Sequence, residues 1–310
     1  MKENIKTIVL FCTLMLTTNI YSVENNQIEA MKWVKHTIEK DINNVIKPTI
    51  FKAFTQSELE IAKDVIVTVP LDPRFSRVIA YNSYGLKKIE ISTGFLSLIS
   101  SLIDANIIAE EFNKVSYLLT YKKLMAQFIT SKQDKVIETF KNHAKIPSQQ
   151  YNHFVRSKEY NYTFTLNLRI VLSYILAHEY AHHIFGHLTT KKPKNLLESR
   201  YNEDIADDFA IRINSKLKNN PLPITDYFIL FSLVENGLQR DTHSPSACRL
   251  EKFLNAGINY TKEEVKKLKL SMNDESKRQL QTIQKVQKFF YDECLKGNSL
   301  TSTTIPQLWE

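Results

Sequence analysis

The stretch that decides the fold is LRIVLSYILAHEYAHHIFGHL, residues 168–188. It reads as one continuous helix that carries His178, Glu179 and His182 in the order His-Glu-x-x-His. Residues four apart share one face of a helix, so both imidazoles can aim a ring nitrogen at one metal ion. Glu179 is rotated to the side and is better placed to reach a metal-bound water than the metal itself. We therefore predict a zinc site on this helix.

A second motif, Asn202-Glu203-Asp204-Ile205-Ala206-Asp207, lies on the next predicted helix. Glu203 and Asp207 are one turn apart on the same face, so Glu203 is the predicted third ligand of one Zn²⁺ per chain. Asp207 is predicted to accept the free N–H of a ligand histidine, which fixes its tautomer. Taken alone, these carboxylates would indicate a solvated acidic face. The histidine pair upstream favours the metal site.

Two competing histidine motifs are disfavoured. His183 and His187 also form an i, i+4 pair, but Ile184 occupies the glutamate position. They lie about 100° around the helix from the first pair, so both pairs cannot serve one metal. We interpret them as surface residues or as support behind the ligands. The elongated metzincin pattern needs glycine at position 185 and histidine at 188, where this chain has Phe185 and Leu188.

The predicted chemistry is hydrolysis of an amide. Three protein ligands leave zinc one position for water, and Glu179 is the predicted general base that passes the proton to the leaving amine. His243, in a loop before Pro245, is a candidate donor to the oxyanion; the alternative is an ordinary loop histidine. Arg249 could pair with a site carboxylate, or be a charge on a helix surface.

Composition indicates a folded and mostly helical chain. Of its 310 residues, 43% are hydrophobic and 24% charged, which is ordinary for a globular protein. Only 6 glycines and 9 prolines favour helices joined by short loops over a many-stranded sandwich. The net charge of +8 is interpreted as a solvated basic surface. Basic patches interleaved with aromatics are absent from the sequence, so no nucleic-acid partner is expected.

The N-terminus has the layout of a secretory signal peptide. Lys2 and Lys6 precede an apolar run over 8–16, and Ser22 is the predicted residue before cleavage. An uncleaved anchor and an ordinary N-terminal helix are the alternatives. Cleavage would give an exported, periplasmic or secreted protein without a transmembrane helix in the mature chain, for which peripheral association with a membrane or envelope is possible.

The mature chain, 23–310, is predicted to be one domain, with a possible helical insertion at about 104–160. Cys248 and Cys294 would remain after cleavage. Two cysteines in an exported chain allow one disulfide, and two separate thiols are the alternative. The predicted fold class is α+β, mostly helical and zincin-like.

A small antiparallel sheet is predicted beside the active-site helix. Its strands are expected at 65–69, 77–81 and 87–92 because β-branched and alternating residues occur there. The lysines of 87–92 indicate an edge strand. We expect a protein or peptide substrate to pair along that edge, with possible pockets near Phe95 and Leu96.

The sequence HEYAH followed by NEDIAD resembles the gluzincins, the thermolysin-type zinc peptidases whose third ligand is a glutamate. The loop 241–245, the downstream Arg249 and the segment Thr93-Gly94-Phe95-Leu96 are similar to the HtpX and CAAX-prenyl-endopeptidase family. In some relatives the loop histidine can sit on the zinc and hold the enzyme inactive. The resemblance implies that His178, His182 and Glu203 bind zinc and that Glu179 is the general base. It also implies a supporting role for Asp207 and roles in the site for His243 and Arg249.

The chain departs from that family in three respects. Ser244 separates His243 from Pro245, and about seventy residues lie between Gly94 and the active-site helix. The sequence shows neither the multi-pass membrane helices nor the tetratricopeptide repeats of some members. A related interpretation is the cytosolic phage-exclusion type of HExxH peptidase, which the predicted signal peptide argues against.

Three functions fit these patterns. The first is an exported zinc endopeptidase that acts on proteins of the envelope. The second is a non-catalytic or latent zinc-stabilised binding module, and the third a metallohydrolase that attacks peptidoglycan amides. Structural zinc sites are usually closed and rich in cysteine, and they need no base. Glu179 therefore favours an enzyme.

Overall fold

The computed structural model describes residue 32 and residues 35–72, 78–83, 85–131, 138–188, 195–235, 246–267 and 274–295. The predicted signal peptide and His243 lie outside the described residues. The signal peptide and the division into one domain with an insertion therefore stay predictions.

The fold is α+β and mostly helical, as the sequence predicts. Helical turns at 35–41 and a π-helical turn at Ile42–Ile46 lead into the first α-helix, and a 3₁₀ turn at Val115–Tyr117 precedes α4. The described α-helices are α1 (Lys47–Phe51), α2 (Gln56–Ala62), α3 (Thr93–Glu111), α4 (Leu118–Ser131), α5 (Phe140–His143), α6 (Ser148–Phe154), α7 (Lys158–Ile184), α8 (Leu196–Lys216), α9 (Leu222–Glu235), α10 (Ser246–Lys267) and α11 (Asp274–Leu295).

The sheet has three strands, β1 (Ile66–Thr68), β2 (Val78–Ser83) and β3 (Leu86–Ile91), in the order β1-β3-β2. β2 and β3 form an antiparallel hairpin, whereas β1 runs parallel to β3. The prediction of an all-antiparallel sheet is wrong for β1. The reason is topological, because the hairpin returns β3 across the sheet to lie beside β1 in the same direction.

The prediction that 87–92 is an edge strand is also wrong. β3 is the central strand, paired on both sides, with Lys88 opposite Ile66 and Tyr81. Ile89 and Ile91 are fully buried, while Lys87, Lys88 and Glu90 stay partly exposed. A small sheet with one solvated face admits lysines on its central strand, so lysine content alone does not identify an edge.

The core lies between the sheet and helices α3, α7, α8, α9 and α10. α3 begins where Ser92 accepts a hydrogen bond from the Phe95 N–H at 3.1 Å. Phe95 and Leu96 are buried, with the Phe95 ring against Tyr227, so both side chains belong to the core. Substrate pockets near them stay a prediction.

Among the described residues, α3 is long and apolar enough to cross a membrane by length and composition. Most of its apolar window is buried inside the fold, which is the burial of a core helix.

Candidate metal centre

Helix α7 carries the His-Glu-x-x-His motif in its last two turns. Ser157 caps its N-terminus by accepting a hydrogen bond from the Tyr160 N–H at 3.0 Å. The helix has 27 residues and is therefore about 40 Å long. Its C-terminal half is anchored in the core by Tyr180, which is fully buried and packs edge-on against Phe51 and Phe54. This packing fixes the rotation of the helix about its axis.

Candidate metal-binding atoms of three residues converge between α7 and α8. The Nε2 atoms of His178 and His182 are 3.2 Å apart. The Glu203 carboxylate places Oε2 3.3 Å from the first and Oε1 3.5 Å from the second. A tetrahedral zinc ion with bonds of about 2.0–2.1 Å separates its ligands by about 3.3 Å. The spacing, and the chemistry of two imidazoles and one carboxylate, fit a zinc ion.

α8 supplies the carboxylates of the site. Asn195 caps it by accepting a hydrogen bond from the Glu198 N–H at 2.9 Å. Glu203 and Asp207 project from successive turns, and the Asp207 side chain is only 1% exposed. Its Oδ1 accepts a hydrogen bond from Nδ1 of His178 at 2.9 Å. The predicted partnership between a buried carboxylate and a ligand histidine is thus present as geometry.

Arg249, on α10, completes this arrangement. Its Nε and Nη2 donate to Oδ2 and Oδ1 of Asp207 at 2.7 and 2.8 Å, and its guanidinium lies 4.7 Å from the centre of the Phe228 ring. Of the two interpretations offered by the sequence, pairing with a site carboxylate describes its position. Such a two-pronged contact fixes both the charge and the orientation of the carboxylate.

The charged groups of the cluster shift the pKa values of their neighbours. Burial would raise the pKa of Asp207, but the charge of Arg249 and the hydrogen bond from His178 hold it well below its ordinary value. Burial alone would lower the pKa of His178, but its hydrogen bonds to Asp207 and Glu203 raise that pKa to about 10. Burial and the neighbouring charge of His178 lower the pKa of His182 to about 3. A metal and a proton therefore compete for His178.

His183 and His187, predicted to be surface residues or support behind the ligands, do not lie together on a continuing helix. α7 ends at Ile184, because Gly186 takes up a left-handed conformation with φ of 73°. His183 is buried, and its Nε2 donates to the carbonyl oxygen of Lys88 at 3.1 Å, which ties α7 to β3. His187 turns back, and its Nδ1 lies 3.0 Å from Nδ1 of His182.

The remaining predicted site residues lie as follows. Glu179 is partly buried and directly follows His178 on α7. Asp204 and Asp208, the other two carboxylates of this stretch, were not predicted to act in the site; each pairs with Lys252 of α10 at 3.1 Å. His243 is outside the described residues, so its role stays a prediction.

Cys248 and Cys294 form a disulfide that joins the start of α10 to the end of α11. Of the two alternatives that the sequence leaves open, the bridge is the one present. Cys248 directly precedes Arg249, so the bridge secures the helix that supplies the partner of Asp207.

Comparison with known proteins gives one match. A family model described as Peptidase U49 matches residues 100–268, more than half of the chain, and this range contains the whole cluster. No curated protein and no solved structure matches the chain significantly. The chain therefore belongs to the Peptidase U49 family, so that it is a peptidase whose substrates are proteins or peptides.

Proposed function

We propose that this peptidase is a zinc-dependent endopeptidase of the gluzincin type. The observation that carries the proposal is the convergence of His178, His182 and Glu203: the two Nε2 atoms are 3.2 Å apart, and one carboxylate oxygen lies 3.3 Å from the first while the other lies 3.5 Å from the second. Two imidazole nitrogens and one carboxylate, spaced at about the edge length of a zinc tetrahedron, leave the fourth corner for water or substrate. The similarity to the HtpX and CAAX-prenyl-endopeptidase type is part of this proposal and rests on the sequence motifs.

His178, His182 and Glu203 would hold the zinc ion. When bound, zinc supplies a Lewis acid that lowers the pKa of water and polarises the carbonyl of the scissile bond. His178 is held in one tautomer and one orientation, because Asp207 accepts from its Nδ1 and Arg249 keeps Asp207 charged. This support leaves Nε2 of His178 directed at the cluster.

Glu179 is the proposed general base. It follows His178 on α7, so it projects about 100° away from that ligand and does not join the three ligand atoms. From that position it takes the proton of the attacking water and delivers it to the departing amine. His243 is retained as the proposed donor to the oxyanion or as a group that caps the zinc.

The strand proposed to bind the substrate is β2 and not β3. β3 is flanked by β1 and β2 and cannot pair with a peptide. β2 is an outer strand of the described sheet, and it packs against α7. We place an extended substrate along Val78–Ser83, paired by main-chain hydrogen bonds. Peptides N-methylated at alternate residues would then be cut more slowly than their unmethylated forms, whereas equal rates would remove β2 from the mechanism.

The proposed location is outside the cytoplasm. Disulfides persist in oxidising compartments, and the bridge between Cys248 and Cys294 supports export together with the predicted signal peptide.

The direct test is digestion of casein and a peptide library by the wild type and by Glu179→Gln, with zinc analysis of both. We expect one zinc per chain in each, and cleavage reduced about 10²–10⁴-fold in the variant. Glu159→Gln is the matched control, since Glu159 is exposed at the first turn of the same helix. Equal cleavage by wild type and Glu179→Gln would refute the mechanism. Zinc in both without cleavage by either would favour a binding module.

A further inference from the structure

His187 contacts the ligand histidine that Asp207 does not support. Its ring centre lies 5.1 Å from that of His182, at an interplanar angle of 68°, and the two Nδ1 atoms are 3.0 Å apart. The other nitrogen of His182, Nε2, faces His178 and Glu203. Each ring nitrogen of His182 is therefore committed to a different partner.

The backbone builds this contact. After α7 ends, Gly186 adopts a φ of 73°, which an L-residue rarely takes up, and the chain reverses. The N–H of His187 then donates to the carbonyl oxygen of His182 at 3.0 Å, which closes the helix end. Phe185 stacks on the His187 ring with centres 5.9 Å apart. These contacts hold the His187 ring against His182.

The chemistry of two facing ring nitrogens allows one hydrogen bond. If Nε2 of His182 binds the metal, its Nδ1 must carry the proton, and Nδ1 of His187 must accept it. We infer that His187 is a positioning residue, which accepts the Nδ1–H of His182 and so fixes the tautomer and orientation of this ligand. The inference rests on the proposed zinc site and extends it to a residue outside the HExxH and NExxAD motifs.

The two ligand histidines would then be supported differently. His178 donates to a charged carboxylate, which makes a ligand more basic, whereas His182 donates to a neutral imidazole. The site thus combines one strongly and one weakly supported imidazole.

The test compares zinc dissociation constants, measured by competition with a chromophoric chelator at about pH 7. His187→Phe keeps a ring but removes the acceptor, and we expect about 10–100-fold weaker binding. His187→Asn places an oxygen where Nδ1 of histidine stood, so it should restore much of the affinity. His187→Gln places its oxygen farther out and should restore less. His153→Phe, at an exposed histidine of α6, is the matched control and should bind as the wild type.

A second readout separates positioning from simple packing. In the zinc-loaded wild type, the Nδ1–H of His182 should give a slowly exchanging proton signal by NMR, and His187→Phe should lose it. Phe185→Leu loosens the ring packing but keeps the acceptor, so the signal and most of the affinity should remain.

The outcomes are distinct. If the wild type binds zinc and His187→Phe binds it equally well, the inference fails and the proposed function stands. Equal weakening by Phe185→Leu and His187→Phe would also overturn it, since packing would then explain the effect. A wild type that takes up no zinc would overturn both.

Discussion

Two buried aspartates, in two regions of this molecule, have pKa values that are shifted in opposite directions. Asp207 lies in the candidate metal centre between Arg249 and His178, and the charge of Arg249 and the hydrogen bond from His178 hold its pKa far down. Asp104 lies on α3, away from the motif residues, where burial raises its pKa to about 6.

The difference lies in the partners. Asp104 accepts hydrogen bonds from the hydroxyls of Tyr160 and Tyr151, which lower its pKa but do not offset burial. Asp207 has a guanidinium and an imidazole instead. A buried carboxylate with cationic partners stays charged and can orient a metal ligand, whereas one with only hydroxyl partners tends toward the neutral form. Burial alone therefore does not mark a functional carboxylate.

The largest expected effect comes from removing the cation beside Asp207. Arg249→Met leaves a buried, uncompensated charge and should lower the free energy of unfolding by about 3–5 kcal/mol, measured in urea at about pH 7. The control is Lys252→Met, which breaks the partly exposed pairs with Asp204 and Asp208 and should cost under about 1 kcal/mol. Equal losses in both variants would contradict the special standing of the Asp207 pair.

The disulfide gives the next effect. It closes a loop with a sequence separation of 46, for which chain entropy predicts about 4 kcal/mol of stabilisation. The double variant Cys248→Ser/Cys294→Ser should lose about that much in urea unfolding, and the wild type in a reductant should match it. The bridge adjoins Arg249 and not Asp104, so we expect the pH dependence described next to persist in the double variant. If the double variant lost the pH dependence, the disulfide and Asp104 would have to belong to one cooperative unit.

Asp104 should make stability depend on pH. Its pKa is raised on folding, from 3.8 to about 6, so the folded state binds the proton more tightly. The contribution is complete below about pH 4 and is lost as the pH rises through 6, a change of about 3 kcal/mol. Urea unfolding at several pH values should show this slope in the wild type and not in Asp104→Asn. Parallel pH profiles for the two proteins would contradict the assignment.

The smallest effect should come from Tyr160→Phe. The Tyr160 hydroxyl donates to Asp104 and lowers its pKa, so its removal should raise the pKa further and move the end of the pH window upward. We expect a loss of about 1 kcal/mol at neutral pH. The same urea series measures this loss of stability. A shift of the pH-dependent range to lower pH in Tyr160→Phe would contradict the prediction.

Much of the fold could be predicted from the sequence, because periodicity and breakers are local signals. The helix with the histidine motif, the strands near 65–69, 77–81 and 87–92 and the mostly helical class all follow from them. Strand order could not be predicted, since it depends on which surfaces pack together. The lysines of β3 indicated an edge, but they lie on a central strand with a solvated face.

The geometry of the candidate site could be predicted only in part from the sequence. Helical spacing predicted that His178, His182 and Glu203 converge and that Asp207 lies behind a ligand histidine, because two short motifs on adjacent helices need little further information. His187 was interpreted from an assumed continuous helix. Gly186 was the available signal, since glycine after a helical run commonly ends the helix in a left-handed turn. The pairing of Cys248 with Cys294 could not be decided from the sequence, because it depends on how α10 packs on α11.

The most direct measurement is the zinc content of purified wild type, Glu203→Ala and Asp104→Asn after dialysis against a weak chelator. We predict one zinc per chain in the wild type and in Asp104→Asn, and far less than one in Glu203→Ala. Full zinc in Glu203→Ala, or none in the wild type, would contradict the metal centre proposed between α7 and α8.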